Sequence, residues 1–202
     1  MSKNQTSKEK IKEVARTIFM KKGYAGTKTR DITTAAGINL AALNYHYQSK
    51  ENLFKEVMME SMSSFFQQIL AIFRNEESTL EEKLEQLTVE YIGRIKTQPD
   101  IPFFIFSELR FNSRALITQI TGGEKLENLV FFRQLKEQLK NKKREEIDPL
   151  QIIANLMSMI FFPFIAKPML QAFGDMNEQQ FDELIEKRKK LIPQWIYQMI
   201  GE

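Results

Sequence analysis

A single histidine, His46, and no cysteine in 202 residues leave little material for covalent or metal chemistry. Thiolate nucleophiles, disulfide frameworks, iron–sulfur clusters and thiolate zinc sites are removed together, and a multi-histidine metal site cannot be assembled. There is no glycine-rich phosphate loop, and carboxylate pairs such as Glu145-Glu146 lie in charge runs that read as solvated faces. A helical enzyme finds no support in these residues, and no cofactor is expected. The informative chemistry is non-covalent and lies between Thr29 and Tyr47. Two short helical stretches there flank a tight turn, Gly37-Ile38-Asn39. That is the DNA-binding helix-turn-helix pattern, in which one helix braces across the backbone and the next lies in the major groove. A generic helical hairpin fits the same spacing.

Charge favours the first of these readings. Residues 1–50 hold ten Lys/Arg against three acids, a balance of +7, whereas the remainder carries −4. A basic head that meets a polyanion and a mildly acidic body that does not is the arrangement this implies. Lys3, Lys8 and Lys10 are candidates for a basic arm, although a frayed terminus accounts for them equally well. Met1–Lys10 is polar with no apolar block behind it, so no secretory signal is read and a cytoplasmic location is expected.

The elements that position this segment are helical throughout. Thr6-Ser7-Lys8-Glu9 reads as a capping box for a first helix that Gly23 ends. Thr29 is read as the cap of a second helix over about 30–36, with Ile32, Ala35 and Ala36 inward. Asn39 caps a third over about 40–47, and Ser49 a fourth over 50–74. Further helices are predicted near 79–97, 99–111, 123–144, 148–172 and 177–200, with Gly122-Gly123 as a hinge and Pro163 as a kink. Residues 149–166 carry no charge, which touches the length of a membrane span. Gln151, Asn155, Ser158 and Pro163 within them point instead to a helix buried in a core, and no membrane partner is expected.

The run Gly26-Thr27-Lys28-Thr29-Arg30-Asp31-Ile32, Ala36-Gly37-Ile38, Leu43, Tyr47, Ser49-Lys50-Glu51 and Leu53-Phe54 resembles the tetracycline-repressor (TetR) family over about residues 8–54. The resemblance implies an all-α protein with an N-terminal helix-turn-helix domain (1–49) and a helical ligand-binding and dimerisation domain (50–202). It implies a regulator, in the main a repressor, that binds a palindromic operator in double-stranded DNA as a homodimer. By the same resemblance, Thr29, Arg30 and Lys50 would meet phosphates, and Leu40, Ala41, Ala42 and Tyr45 would face base edges. Asn44 would serve phosphate or adenine, and His46 phosphate. The family commonly has a hydroxyl residue at position 42, tyrosine at 44 and phenylalanine at 47. This chain has Ala42, Asn44 and Tyr47.

Sixteen phenylalanines and ten methionines, concentrated after residue 53, need burial partners. Neighbours such as Phe161-Phe162 point about 100° apart on a helix and cannot share one core. A ligand or a second subunit must cover the surplus. The resemblance implies both: an effector cavity, and a dimer formed by the last two long helices. The Phe- and Met-rich composition then suggests a small apolar or aromatic effector. Candidate cavity residues are Phe103, Phe104, Phe106, Asn155, Met159 and Phe162, with Glu108 and Arg110 as further polar groups. Candidate interface residues are Ile152, Leu156, Ile160, Phe164, Leu184, Leu191 and Trp195. A helical scaffold with a non-specific basic head is the alternative, separable by whether one palindromic duplex is preferred over random DNA.

Overall fold

A computed structural model describes residues 7–201. Thr6 and Lys3, invoked above for the capping box and the basic arm, lie outside the described residues. The order of elements is α1 (Ser7–Gly26), α2 (Thr29–Ala36), α3 (Leu40–Tyr47), α4 (Lys50–Arg74), α5 (Leu80–Thr97), α6 (Ile101–Phe111), α7 (Ser113–Thr121), a 3-10 turn (Leu126–Asn128), α8 (Val130–Asn141), α9 (Pro149–Ile165), α10 (Lys167–Gly174) and α11 (Glu178–Ile200). The protein is thus all-α. It divides into two compact units inside α4, after Phe65.

In the first unit, Ile11, Ala15 and Phe19 of α1 are buried with Ile32 and Ala36 of α2, Leu43 and Tyr47 of α3, and Leu53 and Val57 of α4. Phe19 meets the ring of Phe54 edge-on, 5.0 Å between centroids. Gly23, at φ 68°, ends the regular part of α1 in the left-handed region that suits glycine. Gly37 does the same after α2, at φ 67°, and its N–H and that of Ile38 return to Thr34 O and Thr33 O. This satisfies carbonyls the helix end would otherwise leave open.

The second helix is capped differently from the expectation. Lys28, not Thr29, is the cap residue, and Thr29 opens the helix. Asp31 Oδ2 reaches back to accept the Lys28 N–H at 3.1 Å and the Lys22 ammonium at 3.0 Å. The hydrogen bond from that backbone amide, followed by the one from Lys22, holds the Asp31 carboxyl below its ordinary value. Inward positions also shift: Thr33 is buried and Ala35 is exposed. The Asn39 cap is as read, accepting the Ala42 N–H at 2.8 Å.

Two polar ties complete the first unit. Tyr47 donates its hydroxyl to Lys8 O at 2.6 Å. Burial, reinforced by Glu56, Glu60 and Glu9, pushes that phenol up to about 12. Glu60 accepts from Lys12 and from Arg16, each at 2.9 Å.

In the second unit, α5 packs against α11, α9 and α8, and α9 against α11. Leu84, Leu87, Tyr91 and Ile95 of α5 are buried, as are Ile152, Leu156 and Ile160 of α9 and Phe181, Ile185, Ile192 and Ile196 of α11. Thr79 and Asp148 cap α5 and α9. Three predicted helices are divided or shortened. The 99–111 stretch starts at Ile101, and Asn112 begins a separate helix, α7. The 123–144 stretch becomes the 3-10 turn plus α8, and 148–172 breaks at Ala166 into α9 and α10, bent by 73°. Pro163 stays within α9. It has no N–H for the carbonyl four residues back, that of Met159, and the Arg188 guanidinium supplies the missing donor at 2.8 Å. No single helix among the described residues is long and apolar enough to cross a membrane.

Tyr47→Phe keeps the ring and deletes the bond to Lys8 O. The expected loss is about 1 kcal/mol of unfolding free energy, read by urea denaturation, and an unchanged midpoint would show the bond to be idle.

Candidate nucleic-acid interface and body cavity

The outward face of α3 does no packing within the first unit. Only Leu43 and Tyr47 of its eight residues are buried. Tyr45 is 83% exposed and Leu40 53%, with Ala41 and Asn44 beside them exposed and Ala42 half-buried. Tyr45 stands edge-on to the half-buried His46 ring, 5.1 Å between centroids. Arg30 is exposed and Thr29 half-exposed in the first turn of α2, where backbone N–H groups have no helical partner and favour anions. Eight of the nine residues singled out for DNA therefore lie on α2 and α3, with side chains at least partly open.

Lys50 opens α4 as expected, and its ammonium has partners within the chain. Its ammonium donates to Tyr24 O and Thr27 O, both at 2.9 Å, and stands 4.0 Å from the centroid of the Tyr24 ring. The cation ties down the loop between α1 and α2, so its first role is to shape the interface. A phosphate contact would have to share what remains of its donors. Tyr47 is a second departure with a structural use: the hydroxyl that phenylalanine would lack anchors α1.

The second unit contains a cavity of about 520 Å³. It is walled by Phe73 of α4, Leu87 and Tyr91 of α5, Ile105, Phe106 and Leu109 of α6, Leu116 and Ile120 of α7, and the inner side of α9 from Ile153 to Ile165. Of the residues proposed for it, Phe106 and Phe162 are in the wall. Phe104 is buried elsewhere in the core, and Phe103 turns outward at 58% exposure. Asn155 is exposed and donates to Met199 Sδ at 3.4 Å, and Met159 and the buried Glu108 are also outside the lining, as is the exposed Arg110. Leu116 and Ile120 went unnoticed because α7 was not foreseen. The one signal for it was the polar pair Asn112-Ser113, a helix-start composition.

The interface residues also need correction. Ile152, Leu156 and Ile160 are at most 1% exposed within a single chain, so they have no surface to offer a second copy. Periodicity marked that stripe of α9 as apolar but could not say which apolar neighbour covers it. Phe164 is half-buried against Phe181 of the same chain, 6.4 Å between ring centroids. Leu184, Leu191 and Trp195 retain open surface and lie along one face of α11 with Arg188, whose guanidinium is 5.3 Å from the Trp195 ring.

A basic three-helix head with an exposed recognition-type helix, joined to a helical body with an apolar cavity, defines a helix-turn-helix DNA-binding regulator. Residues 11–57 match the family model of bacterial regulatory proteins, tetR family. The chain is 24% identical over 162 residues to the Bacillus subtilis (strain 168) protein named "Probable HTH-type transcriptional regulator YttP", spanning 79% of this chain and 78% of that one. It is 28% identical over 123 residues to the HTH-type transcriptional repressor KstR2 of Mycolicibacterium smegmatis, spanning 54% of this chain and 60% of that one. The solved structure of Salmonella enterica GusR shares the fold, with a TM-score of 0.55 at 15% identity over 100% of this chain and 99% of that one. Residues 11–57 thus carry the DNA-binding domain of the tetR family of bacterial regulatory proteins, and the chain as a whole is similar to HTH-type transcriptional regulators.

Lys50→Ala is expected to lower the unfolding free energy by about 2 kcal/mol, since two carbonyls lose a charged donor. Weakened DNA binding with an unchanged unfolding midpoint would instead place the ammonium on phosphate.

Proposed function

We propose that the protein is a ligand-responsive repressor that binds a palindromic operator as a homodimer and leaves it when a small apolar effector enters the body cavity. The observation that carries this reading is the exposed face of α3, with Leu40, Ala41 and Tyr45 open on a basic unit whose core is otherwise closed. Three apolar or aromatic side chains suit thymine methyl groups and groove shape more than bidentate reading of guanine. Asn44, exposed beside them, can bond adenine or a phosphate oxygen. Arg30, exposed at the start of α2, supplies sequence-independent affinity.

The dimer reading is supported by α11. Leu184, Leu191 and Trp195 recur at helical spacing beside the buried stripe of Phe181, Ile185, Ile192 and Ile196. A dimer sets two recognition helices about 34–36 Å apart, one turn of B-DNA. Helix α4 offers the coupling. Phe73 near its end lines the cavity, and Lys50 at its start holds the loop before α2. A ligand that moves Phe73 moves a helix whose other end belongs to the DNA-binding unit, and a small change in half-site spacing is enough to spoil the fit.

Selection of random duplexes should recover one palindrome, bound with an affinity that falls as salt rises. Equal affinity for all duplexes would favour the scaffold reading. Tyr45→Ala should relax the selected sequence at the positions it faces, at about 1–3 kcal/mol per lost contact, and an unaltered selected motif would remove Tyr45 from base reading. Leu191→Asp should shift sedimentation towards the monomer and weaken operator binding, and a variant that sediments as the parent dimer would move the interface off α11.

A further inference from the structure

The cavity wall has a property that its size and apolarity do not by themselves require. None of its eighteen lining residues is Asp, Glu, Lys, Arg or His. Its only polar side chains are those of Tyr91 and Ser158. Burial pushes the Tyr91 phenol upward, so this group contributes no charge under working conditions. The buried ionisable group on α6, Glu108, is not in the lining, and neither is the half-buried Arg94 on α5. A ligand reaching past the shared wall of Leu126 and Phe132 would enter a groove lined by five carboxylates and four cations. That groove presents no net positive field to an anionic headgroup and no clean acidic site to a cation.

An ion moved from water into such a cavity loses its hydration and finds no counter-charge. A neutral chain or ring system loses little and gains apolar burial. Resting on the reading of this cavity as the effector site, we propose that its ligand is an electrically neutral lipophile. It carries at most a hydroxyl, ketone or ester for Tyr91 and Ser158 to bond, and the cavity rejects carboxylates, phosphates and ammonium ions of the same apolar size. Selectivity would then come from the absence of a partner for charge, which acts against the wrong ligand as strongly as contacts act for the right one.

The test uses the full chain and a neutral fluorescent probe, N-phenyl-1-naphthylamine. The probe is displaced by three molecules with the same twelve-carbon tail, below micelle-forming concentrations: dodecanol, dodecanoate and dodecyltrimethylammonium. At about pH 7 dodecanol should displace the probe, and both ions should require about tenfold more or worse. At about pH 5 the gap for dodecanoate should narrow, because the neutral acid becomes available. The gap for the ammonium should stay. Ser158→Lys, at an exposed position of the wall, should bring dodecanoate level with dodecanol or ahead of it. Dodecanoate displacing the probe as well as dodecanol does at pH 7 in the parent protein overturns the proposal and leaves the effector-cavity reading standing. Ala154→Phe fills the wall from another exposed position. If the parent does not bind the probe, or if this variant binds it undiminished while melting as the parent does, the effector-cavity reading fails and takes the proposal with it.

Discussion

An eight-residue helix does not hold itself together in water, because nucleating it costs more than its few hydrogen bonds return. Helix α3 exists because Leu43 and Tyr47 are driven into the core with Ile11, Ile32 and Leu53, and because Gly37 and Asn39 aim the chain at that core. The face proposed to read DNA depends on this one-sided burial. With two inward positions sufficient to fix the helix, Leu40, Ala41, Asn44 and Tyr45 are left exposed on its outward face. The same logic explains why the departures from the family pattern fall on that outward face without disturbing the fold. Tyr47 is the exception, since it departs on the inward face and brings its own partner, the Lys8 carbonyl.

The second unit solves a different problem, since α9 is apolar almost all round. One stripe, Ile152, Leu156 and Ile160, is buried within the chain, with Leu156 also reaching the cavity wall. Another borders the cavity, where Phe161 and Phe162 both belong to the wall although only Phe161 is buried. A cavity open to one side takes up the angular spread of adjacent aromatics that a single packed core could not. Pro163 would leave the Met159 carbonyl without a donor, and Arg188 closes that gap from α11. A guanidinium half-withdrawn from water, which lowers its proton affinity, is thereby given a definite structural task.

The helix-turn-helix is legible in the sequence, down to the Asn39 cap and the glycine stop, because its signals are local. They are a residue with a left-handed backbone, a side chain that bonds its own helix end, and two apolar positions per short helix. The body was legible as helices but not as an arrangement. The break at Ala166 and the start of α7 at Asn112–Ser113 have weak local signals, so the sequence reading runs one helix across Ala166 and places none over 112–122.

What the sequence determined by itself was an all-helical chain with a basic head and a helix-turn-helix spacing, since periodicity, caps and charge are properties of neighbouring residues, and the family resemblance of that segment implied a regulator. Tertiary structure alone decided which apolar surfaces were available. Ile152, Leu156 and Ile160 became core, Phe106 and Phe162 became cavity wall, and Lys50 became a clamp on two carbonyls. The physical reason is that hydrophobicity has no address. An apolar side chain gains equally from a core, a ligand or a second subunit, and only packing between residues far apart in the chain determines which of them covers it.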